Sequence, residues 1–181
     1  MISNGMAARI NEQLNRELYS AYVYLGLSAH AEAANLKGTA AWFMAKYNEE
    51  LAHAMKMYRY LIDQSAGIAL STIAAPPTES GGVLAMFERT LAHEREVTSA
   101  INDLVDQALS EKDHATHIFL QWFVTEQIEE EATLNDILGR LRLFGDQGQG
   151  LLMIDNELAA LAKRMAQGTA AQSAGGVSQF N

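Results

Sequence analysis

No cysteine occurs in the chain, which excludes a disulfide scaffold, a thiolate metal site and a cysteine nucleophile. Proline is nearly as scarce: both residues are adjacent, Pro76 and Pro77, so long stretches on either side carry no such helix breaker. No apolar run reaches the roughly 18 residues of a membrane span. The amino terminus, MISNGMAARI, lacks the basic region and apolar stretch of a secretory signal, and the expected location is cytoplasmic. Positive charge is in short supply, with 13 Lys and Arg against 22 Asp and Glu for a net charge of −9. Without a Lys/Arg cluster, this argues against a nucleic-acid partner held through its phosphates and favours cations instead. What is there is 181 residues, 49% of them hydrophobic, enough for one globular domain with a sizeable core.

The uninterrupted stretches predict five helices, at about 4–34, 37–64, 83–110, 114–144 and 151–165, separated by plausible caps and terminators at Asn35, Asp113, Ser80 and the Gly145 to Gly150 segment. The first and second helices, and the third and fourth, are joined by short links and should form antiparallel hairpins. The connection SAGIALSTIAAPPTESGG, residues 65–82, is long enough to return along a helix of roughly 42 Å. An all-α four-helix bundle with one long crossover and a short fifth helix follows, with residues 1–166 as one domain. From Gln167 the sequence QGTAAQSAGGVSQFN is small and polar, and reads as a weakly structured tail or an arm that packs on a neighbour.

Core positions of a bundle recur at alternating steps of three and four. The first helix gives Ile10, Leu14, Glu17, Ala21, Tyr24 and Ser28; the second gives Phe43, Tyr47, Glu50, Ala54, Met57 and Leu61. The third gives Leu84, Phe87, Leu91, Glu94, Thr98, Ile101 and Val105, and the fourth Phe119, Phe123, Glu126 with Gln127, Glu130, Leu134, Ile137 and Leu141. Acidic residues interrupt all four stripes at similar depth. The spacing also repeats, with 33 positions from Glu17 to Glu50 and 33 from Glu94 to Gln127. Each half then ends in a pair three residues apart on one helix face, Glu50 with His53 and Gln127 with Glu130. Four carboxylates converging in a low-dielectric interior repel and protonate unless cations compensate. Two cations with oxygen ligands and one imidazole fit iron or manganese, in the dimetal carboxylate pattern of ferritin-like bundles.

Among the other histidines, His30 and His93 read as surface or packing residues, and His114 and His117 share a face that could line a pore. Tyr24 is placed to hydrogen-bond a ligand or supply an electron, and Trp122 reads as packing. Glu131 lies off the acidic stripe, as a solvated or intersubunit residue.

From about Met6 to Met165 the chain resembles bacterial non-haem ferritins, through NRELYSAYVYL, FMAKYNEELAHAMKMYRYL, FLQWFVTEQIEEE and GLLMIDNEL. The resemblance implies a 24-subunit octahedral shell that oxidises Fe(II) with dioxygen or hydrogen peroxide inside each subunit and stores the ferric mineral. It assigns Glu17, Glu50, His53 and Glu94 to one iron position of a ferroxidase centre and its bridge. Glu94, Gln127 and Glu130 go to the second position, with Glu50 and Glu130 shared. Glu49, Glu126, Glu129 and Glu130 match a third iron position, and Tyr24 matches a tyrosine beside the centre. Bacterioferritins would carry a second ExxH in place of Gln127 and Glu130 and a haem-ligating methionine where Leu51 stands, which argues against haem. Dodecameric mini-ferritins lack the fifth helix, whose stripe Leu151, Ile154, Leu158, Leu161 and Met165 implies subunit contacts. His117 and Leu120 stand where the pores of animal ferritins carry acidic residues. Two other classes stand beside this one: a dimetal redox enzyme of oxygenase or manganese-catalase type, and a metal-free structural bundle.

Overall fold

Local sequence accounts for where each helix starts and stops. The computed structural model describes residues 2–77, 81–145 and 147–175, with side chains as far as Gln167. Among these it holds five α-helices and no strand: α1 (Asn4–Ala33), α2 (Lys37–Asp63), α3 (Val83–Ser110), α4 (His114–Phe144) and α5 (Gly148–Gly175). Ser3 caps α1 by accepting from the Met6 amide at 3.0 Å, and Asp113 caps α4 by accepting from Thr116 at 3.1 Å, each satisfying an amide that has no partner within its helix. Asn35 takes a left-handed conformation, φ 62°, and ends α1. The N-cap of α3 is Gly82, and the expected cap Ser80 lies outside the described residues.

The crossover is fastened to α1 by two asparagines one turn apart. Asn11 donates to the Gly67 carbonyl and accepts from the Ala69 amide, at 2.9 and 2.7 Å. Asn15 donates to the Ala69 carbonyl and accepts from the Ser71 amide, both at 2.8 Å. These amide side chains serve the crossover backbone as a neighbouring strand would, pairing carbonyls and amides that have no helix partner. Further along, Pro76 lies against Gly26, so the connection climbs α1 before α3 begins. As a result α3 runs parallel to α2, as the long crossover requires.

The fifth helix differs from expectation in two respects. It extends from Gly148 to Gly175, past the expected end at Met165. Its distal part, AQGTAAQSAG, is rich in alanine, the strongest helix former, and contains no proline. Residues 176–181 of the expected tail lie outside the described residues. Its apolar stripe also serves its own subunit: Ile154 and Leu158 are buried in the core, with Leu151, Leu161 and Met165 packed against the same cluster. Close approach of α5 to α2 makes this possible. A Cβ on Gly38 would fall 1.7 Å from the Asp155 carbonyl oxygen. The Asp155 carboxylate accepts from the Gly38 and Thr39 amides and the Thr39 hydroxyl at 2.9, 2.7 and 2.8 Å. Leu36 offers no capping side chain to α2, and an aspartate from α5 fills that role with the charge the helix N-terminus favours.

Two apolar clusters fill the bundle, one around Tyr24, Phe43, Phe87 and Leu134 and the other around Leu14, Met57, Ile101 and Phe123. On every bundle helix the change from one cluster to the other brackets the acidic positions. α1 passes from Leu14 to Tyr24 across Glu17, α2 from Phe43 to Met57 across Glu50 and His53, α3 from Leu91 to Val97 across Glu94, and α4 from Phe123 to Leu134 across Gln127 and Glu130. The core is an apolar, polar, apolar sandwich along the bundle axis.

Candidate metal centre

The polar layer is fully enclosed. Glu17 and Glu94 are 1% exposed, Glu50 2%, His53 4%, and Gln127 and Glu130 6%, a burial that ionised carboxylates tolerate only when compensated. On the α1 and α2 side, His53 Nδ1 lies 3.6 Å from a Glu50 oxygen and 3.9 Å from a Glu17 oxygen. One ligand atom from each of these three residues falls within 4.8 Å of the others, close enough to share one ion. Gln13, outside the expected site, donates to Glu17 at 2.8 Å and fixes its carboxylate.

The α3 and α4 side is held differently. Tyr24 donates its hydroxyl proton to one Glu94 oxygen in a short hydrogen bond, and Gln127 donates to the other at 3.1 Å. The Gln127 amide also meets the Glu94 carbonyl and the Thr98 hydroxyl, both at 3.2 Å. Glu130 is engaged by the Lys46 ammonium in a short ion pair, and Lys46 reaches Glu49 as well, at 2.7 Å. A lysine 2% exposed inside the acidic layer was absent from the expected site. Its signal was available: Phe43, Lys46, Glu50, His53 and Met57 follow steps of three and four as regularly as the stripe through Tyr47 and Ala54.

At the rim, Glu49, His53 and Glu126 also offer ligand atoms within 4.8 Å of one another. This brings together two of the expected third-position residues and adds the histidine. Glu130 faces Lys46 instead, and Glu129 is exposed and belongs to neither grouping. Glu131 accepts from the Thr98 hydroxyl at 2.8 Å, one hydrogen bond beyond Gln127. Trp122 packs its ring edge-on to His53, centroids 5.3 Å apart, and carries Lys56 over its face. Of the other histidines, His93 shares a 2.8 Å hydrogen bond with Ser20, His117 meets Gln121 at 3.2 Å, and His114 is exposed.

The electrostatics follow from burial and from the unequal count of charges. Burial, and then the Glu50 charge, push Glu17 well above the usual carboxylate range. Burial opposes ionisation of Glu50 too, but the His53 imidazolium and Lys46 outweigh it and bring its pKa down to about 2. Burial works against a charged His53, yet Glu50 and Glu17 raise it to about 9. Burial raises Glu94, with Glu50 adding to it, and lifts Glu130 to about 8 against the pull of Lys46. Lys46 itself is held above its ordinary value by Glu130, Glu49 and Glu50, which outweigh its burial. Burial and the nearby carboxylates also raise Tyr24, so its phenol keeps its proton and acts as a donor. The metal-free centre thus stores protons where cations would sit.

A family model described as a ferritin-like domain matches residues 7–144. The bacterial non-heme ferritin of Campylobacter jejuni is 36% identical over 162 residues, covering 90% of this chain and 97% of that protein. The chain belongs to the ferritin family. The Escherichia coli bacterial non-heme ferritin is likewise 36% identical, over 89% of this chain and 98% of its own length. Among solved structures, the open pore ferritin of the hyperthermophilic archaeon Archaeoglobus fulgidus matches with a TM-score of 0.86 at 43% identity, covering 88% of this chain and 98% of that one. Kinship with non-heme ferritins supports iron storage as the work of this ferritin chain. No helix among the described residues is long and apolar enough to cross a membrane.

Proposed function

We propose that the chain is a ferroxidase and iron store, in which two Fe(II) ions enter the polar layer as substrate, are oxidised there, and pass on to a ferric mineral inside a cytoplasmic 24-subunit cage. One observation carries this reading: Glu17, Glu50 and His53 converge within 4.8 Å in a layer that also buries Glu94, Gln127 and Glu130. The first iron position takes Glu17, Glu50, His53 and the bridging Glu94. The second takes Glu94, Gln127 and Glu130, with Glu50 and Glu130 shared between them. Glu49 and Glu126, which lie together at the rim with His53, mark a third position that Glu129 and Glu130 join only by turning toward it, and iron oxidation needs no haem.

Each Fe(II) gives up one electron. Two irons and two protons reduce dioxygen to hydrogen peroxide, or hydrogen peroxide to two waters, so a pair of adjacent positions matches the two-electron step. Carboxylates favour the product because their negative charge stabilises Fe(III) over Fe(II), and loosely held positions let it leave. Gln127 contributes to that release by placing a neutral ligand in the second position. Tyr24 fixes Glu94 through its hydroxyl and is close enough to supply an electron.

The test is aerobic addition of Fe(II) to the metal-free protein, followed by absorbance of the ferric product and by size-exclusion chromatography with iron analysis. Rapid oxidation and hundreds of irons per large particle are expected, with oxidation slowed in Glu50→Ala and Glu130→Ala. A monomer or dimer that turns over a small organic substrate would favour the dimetal redox enzyme instead. Unchanged oxidation rates in both variants would overturn the assignment.

A further inference from the structure

The acidic layer contains one element that an iron site does not call for, the buried amine of Lys46. Its side chain is 2% exposed, and its ammonium group contacts Glu130 across the bundle and Glu49 on its own helix. Both carboxylates are assigned to iron above, so the ammonium stands where a metal's charge would be needed. Helical phase explains how it gets there. Lys46 precedes Glu49 by three residues, Glu50 by four and His53 by seven, which places all of them on neighbouring lines of one α2 face. The contacts are one-sided: the ammonium pairs with Glu130 and Glu49, whereas Glu17, Glu50 and His53 form their own grouping.

We propose that Lys46 is a tethered counter-cation that sets the order of iron loading, so that iron occupies Glu17, Glu50 and His53 first and gains Glu130 only by displacing the lysine. The inference rests on the iron-site reading above and adds an inequality between its two positions. An iron that takes the Glu130 oxygen held by Lys46 competes with the ammonium for that oxygen and is repelled by its charge across a poorly screened interior. A route out exists for the lysine, because Glu49 is 27% exposed at the rim and the long flexible lysine stem can follow it outward. Displacement makes second-position binding weaker and reversible: when iron leaves, the ammonium returns and the acidic layer is never left bare. The lysine thereby favours departure of the oxidised product.

Anaerobic calorimetric titration of the intact metal-free assembly with Fe(II) tests this, comparing wild type with Lys46→Gln and Lys46→Met. Wild type should show two affinities per subunit. In both variants the second should tighten about tenfold or more and the first by clearly less, because the removed charge contacts Glu130 and Glu49 and acts on Glu50 only through space. A merely structural lysine would alter thermal stability without closing the gap between the affinities. Equal second-site affinity in wild type and in a folded variant would overturn the proposal while leaving the iron site standing. Absence of binding in every protein would overturn both, a distinct outcome. Should both variants fail to fold, wild-type crystals soaked in graded Co(II) give a second measurement. Metal is expected first beside His53 with Lys46 on Glu130, and at saturation on Glu130 with Lys46 moved away. Metal on Glu130 with the lysine contact intact would rule the proposal out.

Discussion

The two halves of the polar layer carry the same 33-residue spacing and yet are built differently. On the α1 and α2 side, Glu17, Glu50 and His53 turn their ligand atoms toward one another, within 4.8 Å. On the α3 and α4 side, Glu94 is occupied by Tyr24 and Gln127, and Glu130 by Lys46. The difference shows that repeated spacing secures depth along the bundle but not equivalence. One half is open to a cation once its protons leave; the other is already satisfied by hydrogen bonds and an ammonium, and must be opened.

Substitutions on opposite sides put this contrast under the greatest strain. His53→Ala should weaken first-site Fe(II) binding by about 100-fold, since it removes the only imidazole from the tight grouping. Gln127→Ala should cost the second site about tenfold or less, because Glu94 and Glu130 remain. Anaerobic titration measures both, and equal losses would show that the halves are equivalent.

The protons stored in the layer sharpen the contrast with a smaller effect. His53 and Glu130, at about 9 and about 8, lie above their ordinary values of 6.5 and 4.5. Both therefore bind protons more firmly in the folded metal-free chain than in the unfolded one. Their stabilising contribution is complete at low pH and is lost as pH rises through about 8 and 9. Glu50, at about 2, has the opposite sign, but only below its ordinary 4.5. Metal-free thermal stability from these groups should thus fall from about pH 6 to pH 9, while Fe(II) affinity gains up to about tenfold per pH unit for each proton released. Melting curves and titrations in buffers of differing ionisation enthalpy read the two trends; a metal-free protein that gains stability over this range would contradict them.

The smallest effect belongs to Tyr24→Phe. Loss of one donor to Glu94 should slow oxidation by about fivefold at most, in line with one hydrogen bond. A loss comparable to that of His53→Ala would mean that the tyrosine takes part in electron transfer and that Glu94 is not merely being positioned.

Much of this was readable from the chain because the bundle writes itself in a simple code. The bounds of α3 and α4 coincide with those read from periodicity, and α1 and α2 each end one residue early. Glu17, Glu50, His53, Glu94, Gln127 and Glu130 are buried in one layer because an acidic residue on an apolar helical stripe has nowhere else to point. What escaped notice depended on partners distant in sequence. Lys46 has core spacing in the sequence, but its role as a counter-ion shows only when Glu130, 84 residues away, is placed against it. Asp155 looks like a surface residue of α5 until the amides of Gly38 and Thr39 meet it, 117 and 116 residues distant. How much of the α5 stripe its own bundle covers was not readable, because nothing local reveals that Gly38 lets the helix settle there.

The most direct measurement is a crystal structure of the iron-soaked protein with anomalous scattering recorded at the iron edge. Two iron peaks are expected in the polar layer of each subunit, the stronger coordinated by Glu17, Glu50 and His53 and the weaker by Glu94, Gln127 and Glu130. Iron confined to surface carboxylates, with Lys46 still bridging Glu49 and Glu130 and no peak beside His53, would contradict a ferroxidase centre in this layer.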